Sequence, residues 1–118
     1  MARHIFIALT HPAPGREADF VEWQKKVHIP DGLNVPGYLA ATFYKLSDTQ
    51  LLDGKPDGAG AYATVWEIES DDLEKTKAAI GEMLGAFTWS DAIDDARTRT
   101  VTYTAATPRL TREENRKR

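Results

Sequence analysis

The sequence predicts an α+β domain with element order β-α-β-β-α-β and a four-stranded antiparallel sheet. Three observations lead there. Four runs are rich in β-branched and aromatic residues, two stretches carry apolar residues at helical spacing, and Pro- and Gly-rich clusters separate them.

The first strand is residues 3–10 (RHIFIALT), bounded by His11-Pro12-Ala13-Pro14-Gly15. A helix follows from Arg16 to Val27 or His28, with Phe20, Trp23 and Val27 recurring on one side. Pro30 is expected to force its end, and Asp31-Gly32 supplies a stop. Pro36-Gly37 is a turn into the second strand, residues 38–46. Ser47 to Gly60, with Gly54, Pro56, Gly58 and Gly60, is a loop and lacks the context of a phosphate-binding motif. The third strand is residues 61–69. Asp71 with Glu74 can close a capping box, and Leu73, Ile80, Met83, Leu84 and Phe87 form the stripe of a second helix reaching residue 87. Residues 97–105, with alternating threonines, are the fourth strand.

This order is the split βαβ arrangement of ferredoxin-like folds, with both helices on one face of the sheet. The second and third strands carry apolar or aromatic residues on both faces. Leu39, Ala41 and Phe43 alternate with Tyr38, Ala40 and Tyr44, and Ala61, Ala63 and Val65 with Tyr62, Trp66 and Ile68. A sheet buried on one side only would alternate with polar residues. The second face therefore needs a cover, and sheet-to-sheet pairing with a second copy into a dimeric α+β barrel is the expectation.

The 118 residues suffice for one core, and the 42% hydrophobic and 28% charged fractions are those of a soluble domain. The absence of cysteine excludes disulfides, thiolate nucleophiles and thiolate metal sites. No apolar run is long enough to span a membrane, and residues 1–7 show no signal peptide, so the expected compartment is the cytoplasm. The formal charge of −3 is uneven. Residues 1–106, the predicted domain, carry 10 basic and 16 acidic side chains, whereas residues 107–118 carry five basic and two acidic ones and read as a basic C-terminal tail. An acidic body argues against nucleic acid, and the tail, with no interleaved aromatic, reads as a solvated segment or a subunit contact.

The most informative stretch is Phe20 to Tyr38, with the pattern F-x-x-W-x-x-x-x-H-x-P, five residues, then P-G-aromatic. It delivers His28 at a helix end, where the terminal carbonyls favour the charged imidazole and burial favours the neutral one. A histidine between these pressures can act as acid or base near neutrality. The competing reading is that His28 only caps the helix. His4, in the first strand, reads foremost as a structural histidine, and His11 as a loop residue without a role. Three histidines at 4, 11 and 28 lack the spacing of a metal site, and no metal is expected. Phe6, Trp23, Tyr38, Tyr44, Tyr62, Trp66 and Tyr103 are the aromatics available to line a cavity, although core packing alone would account for several of them.

The segment resembles the signature of EthD-like proteins in the dimeric α+β barrel superfamily, in which Trp, His-x-Pro and Pro-Gly occur at this spacing. Residues 62–68 (YATVWEI) also resemble that family's third strand, so the likeness spans residues 3–105. It implies a cofactor-independent homodimer with a small-molecule pocket between sheet and helices, lined by His28 and, as in a polyketide cyclase of the superfamily, by a histidine at the position of His4. Activities among the related barrels include cyclases, monooxygenases, isomerases and lyases. Two positions depart from the pattern. Val27 stands where an acidic residue often precedes the motif histidine, and Phe43 stands where arginine often precedes the second-strand tyrosine. The second departure tilts the expected ligand towards a neutral aromatic compound.

These readings converge on a cofactor-independent lyase or isomerase acting on a small aromatic or polyketide-like carbonyl compound. His28 would move the proton and Tyr44 would polarise an oxygen, with His4, Phe6, Trp23, Tyr38, Trp66 and Tyr103 as substrate-binding candidates. The alternatives are a non-catalytic binding or accessory protein and a cofactor-free monooxygenase.

Overall fold

The computed structural model describes residues 2–54 and 58–117; Met1, Pro56 of the predicted loop and Arg118 of the tail lie outside the described residues. Strands β1 (Arg3–Thr10), β2 (Tyr38–Lys45), β3 (Tyr62–Glu69) and β4 (Arg99–Thr104) form one sheet in the order β2-β3-β1-β4. Every pairing is antiparallel. β1 is central, pairing Phe6 with Trp66 on one side and with Thr102 on the other. This is the ferredoxin-like α+β fold that the element order predicts.

The first helix does not end at Pro30. It runs as α1 (Glu17–Trp23), a π-helical turn (Gln24–His28) and α2 (Ile29–Gly32). Inside an unbroken α-helix a proline would clash with the carbonyl four residues back and leave it unbonded. The wider turn avoids this: the Ile29 N–H donates to the Gln24 carbonyl, the ladder restarts, and Pro30 falls in the first turn of α2, where no N–H is required. The chain then reverses through Gly37, at φ 90°, where a Cβ would lie 2.8 Å from the Glu69 carbonyl oxygen.

The other helix, α3 (Leu73–Met83), is capped by Asp72 rather than Asp71. The Asp72 carboxylate accepts from the N–H groups of Glu74 and Lys75, while the Asp72 N–H donates to the Ser70 hydroxyl. A 3₁₀ turn (Leu84–Ala86) follows, and a second (Asp95–Arg97) occupies the predicted start of β4. Between them the chain passes back over the β1–α1 loop, where Ala13 N–H donates to the Ala92 carbonyl and Asp94 N–H to that of His11. In the tail, α4 (Arg112–Arg116) is a short exposed helix whose N-terminus Thr111 caps.

Alternation along the strands sets the two faces of the sheet, with one interruption. A bulge between Tyr38 and Ala40 shifts the register of β2. Tyr38 therefore shares a face with Ala41 and Phe43, whereas strict alternation groups it with Ala40 and Tyr44. The inner face, under the helices, carries His4, Phe6, Tyr38, Phe43, Tyr62, Thr64, Trp66 and Ile68; the outer face carries Ile5, Ile7, Tyr44, Val65, Val101 and Tyr103. The core sits at one end of the inner face, where Phe20 and Trp23 of α1 pack with Tyr62, Phe43 and Ala92. Tyr62 stacks on Phe43 with centroids 5.0 Å apart and donates its hydroxyl hydrogen to Glu17.

Candidate functional site

At the other end of the inner face, the helices stand off from the sheet and leave a cavity of about 480 Å³. β1 supplies Phe6 and Ala8, β3 supplies Thr64 and Trp66, and β2 supplies Tyr38. The helical wall supplies Gln24, His28, Gly32, Ile80 and Leu84, and Phe87 and Trp89 close it from the segment after α3. Gly32 permits the close approach of α2 to the sheet: a Cβ there would lie 2.3 Å from Trp66 Cη2. Any side chain at this position would have to displace the indole.

His28 is placed by the π turn and held in an aromatic cage. Its ring stacks on Trp23 with centroids 4.7 Å apart, meets Trp66 and Phe87 edge-on at 6.1 and 6.2 Å, and tilts against Trp89 at 5.4 Å. Burial in this cage pushes its pKa below the ordinary histidine value, an effect that the nearby Asp31 carboxylate partly opposes. The ring is therefore neutral at pH 7, with a free lone pair on one nitrogen. Asp31 also accepts from the Thr88 N–H at 3.0 Å, and Trp23 Nε1 donates to the Thr88 carbonyl at 2.7 Å. These two bonds pin the Phe87–Trp89 wall to the helix that carries His28.

The polar content of the cavity is small and unusual. Three buried side-chain atoms, Gln24 Oε1, His28 Nδ1 and Thr64 Oγ1, have no hydrogen-bond partner among the described residues. All three residues line this one cavity. Gln24 is 2% exposed and Thr64 is 1% exposed, so bulk water cannot satisfy them. A buried polar atom without a partner costs about 1–3 kcal/mol, and native structures keep few of them. Tyr38 also faces the cavity, with its pKa pushed up to about 12 by burial, so it keeps its hydroxyl hydrogen at any ordinary pH.

Of the residues nominated from the sequence, His28, Phe6, Tyr38 and Trp66 line this cavity, and Trp23 forms the stacking platform behind His28. Tyr44 and Tyr103 do not join them. They project from the outer face, 51% and 57% exposed, because Tyr44 pairs with Ala63 and Tyr103 with Ile5 at outward positions of the ladder. Within one chain Tyr44 cannot polarise an oxygen held beside His28, and Tyr38 is the tyrosine that shares its cavity. His4 is buried away from this cavity, with both ring nitrogens used: Nε2 donates to the Ser70 carbonyl at 3.0 Å and Nδ1 bonds the Thr104 hydroxyl at 2.9 Å. His11 Nδ1 accepts weakly from Ala61 N–H at 3.4 Å and takes no part. Sequence reasoning missed Gln24, Thr64 and Trp89. The first two had a signal in their spacing, since Gln24 lies one helical turn before His28 and Thr64 alternates in phase with Trp66.

No family model matches the chain, and no curated protein matches it in sequence. Solved structures do match. A mutant of MhuD with two manganese protoporphyrin IX bound per active site aligns with a TM-score of 0.64 at 12% identity, over 92% of this chain and 99% of that one. HapK from Hahella chejuensis aligns with a TM-score of 0.52 at 15% identity, over 94% and 99%. A putative monooxygenase from Shewanella loihica PV-4 aligns with a TM-score of 0.51 at 17% identity, over 95% and 98%. Near-complete coverage at these identities establishes a common fold, the ferredoxin-like dimeric α+β barrel fold implied by the resemblance.

Proposed function

We propose that the chain is a cofactor-independent enzyme that moves a proton on a small, neutral, largely aromatic carbonyl compound. The observation that carries this reading is the placement of His28 and Tyr38 on one aromatic-walled cavity. The neutral His28 ring accepts a proton from the carbon next to the carbonyl. The Tyr38 hydroxyl donates a hydrogen bond to the oxygen that gains charge, and the proton then returns from the imidazolium to the same or a neighbouring carbon. Isomerase and lyase chemistry both begin with this step.

The charge of the walls supports a neutral ligand. Among the described residues that line the cavity, Asp95 is the one carboxylate and there is no lysine or arginine. The walls therefore do not fit the two carboxylates of a protoporphyrin, the group named for the MhuD structure. We also propose that a second copy covers the outer face, where Ile5, Tyr44, Val101 and Tyr103 are 36 to 57% exposed.

The test is solvent-deuterium exchange at the α-carbon of tetralone, a bicyclic aromatic ketone, followed by NMR. Wild type should exchange the proton faster than buffer, and His28→Gln, with an unchanged circular dichroism spectrum, should lose on the order of 10²-fold or more. Binding without exchange would replace the enzyme with a binding protein. Oxygen uptake on ligand addition would replace proton transfer with cofactor-free monooxygenation.

A further inference from the structure

We infer that the basic C-terminal tail forms a two-fold clasp between copies of the chain, in which Arg109 of each copy pairs with Glu67 of the other. The inference rests on the covered outer face proposed above and adds the charged contact that fixes how the two copies sit.

The middle of the outer face is apolar, with one exception. Ile7 lies between Val65 and Val101 in one row across β3, β1 and β4. In the next row Ile5 lies between Glu67 and Tyr103. Glu67 is exposed, and it sets a carboxylate among residues that a second copy would bury. A carboxylate taken out of water without a cation is costly, so whatever covers this face has to bring one. Arg3, one row further on, is already taken by Glu69 at 3.4 Å.

The tail holds the cation in the right place. After β4, the Ala105 N–H donates to the Arg3 carbonyl, and the chain then runs beside the outer face. A groove of about 760 Å³ separates the two, with Ile5, Glu67 and Tyr103 on the sheet side and Arg109 and Leu110 on the tail side. Glu67 and Arg109 share this groove, yet neither has an ion-pair partner among the described residues. Ile5, Tyr103 and Leu110 are exposed around them. A patch with an apolar centre and one free charge of each sign is complementary to itself under a two-fold axis, where residue i meets j and j meets i. Opposite charges then meet twice, and orientations that place like charges together are penalised. The wider charge distribution agrees. Residues 107–118 carry five basic and two acidic side chains, against 10 basic and 16 acidic in residues 1–106.

The experiment is sedimentation of wild type, Glu67→Arg, Arg109→Glu, the double variant and an equimolar mixture of the two single variants, with folding checked by circular dichroism. Each single variant places two like-charge pairs in its own dimer and should raise the dimer Kd on the order of tenfold or more. The double variant restores both pairs with exchanged signs and should dimerise like wild type, a result that can be read even where one single variant does not fold. The mixture distinguishes a clasp between chains from a contact within one. Its mixed dimer joins the substituted residue 67 of one chain to the substituted residue 109 of the other, so it should form at concentrations where either variant alone is monomeric. Unchanged dimerisation of folded single variants would overturn the clasp, as would a mixture that stays monomeric or a double variant no better than the singles. Each of these leaves the covered outer face standing. A monomeric wild type would overturn both.

Discussion

The two faces of the sheet hold nearly the same kinds of residue and do different work. The inner face carries Tyr38, Phe43, Tyr62 and Trp66, and the outer face carries Tyr44, Tyr103, Val65 and Val101. The inner aromatics are packed by helices, and Trp66 and Tyr38 among them wall the cavity that His28 lines. The outer aromatics are half exposed. Apolar character alone therefore marks both faces as surfaces needing a cover. The cavity lined by Gln24, His28 and Thr64 lies on the inner one, which is where the proposed ligand site belongs.

Charging the outer face gives the largest expected effect. Ile7 sits in the central strand between Val65 and Val101. Burying a lysine there against a second copy would carry the cost of an unpaired charge, several kcal/mol, so Ile7→Lys should sediment as a monomer where wild type sediments as a dimer. Retained tetralone binding by that monomer would show that the inner site belongs to one chain. The next effect separates two tyrosines. Tyr38→Phe should lower α-proton exchange on the order of 10²-fold by removing the oxygen's donor, while Tyr44→Phe should leave it unchanged. The reverse result would move the chemistry to the outer face.

Most of the fold was legible because it follows from local periodicity. All four strands fall within two residues of their expected bounds, since period-2 patterns and Pro/Gly punctuation are visible in the chain itself. The departures arise where one residue of register decides the outcome. Pro30 reads as a stop until a π turn re-spaces the ladder ahead of it. The bulge after Tyr38 separates the two tyrosines of β2, and so it keeps Tyr38 at the cavity and turns Tyr44 to the outer face. Neither device has a sequence signature in propensity or alternation. His28 was found from its motif, but its cage was not: Phe87 reads as the last residue of a helical stripe, whereas α3 ends at Met83, and Trp89 lies in the return segment beyond, which has no periodicity to read.

The smallest expected effect is on pH dependence. Burial lowers the folded-state pKa of His28 below 6.5, so the unfolded chain takes up this proton more readily than the folded one. Stability is unaffected by this ring above pH 6.5 and declines as pH falls from there through the lower folded-state value. The Asp31 carboxylate limits the shift. The most direct test of the central claim is an NMR titration of the His28 ring nitrogens, with and without tetralone. A ring that titrates below 6.5 in the free protein, with ring-nitrogen resonances that move when the ketone binds, is the result expected of a caged base beside its ligand. A ring that titrates at or above 6.5 and does not respond to the ketone would contradict the account and leave His28 as a packed aromatic inside a helical segment.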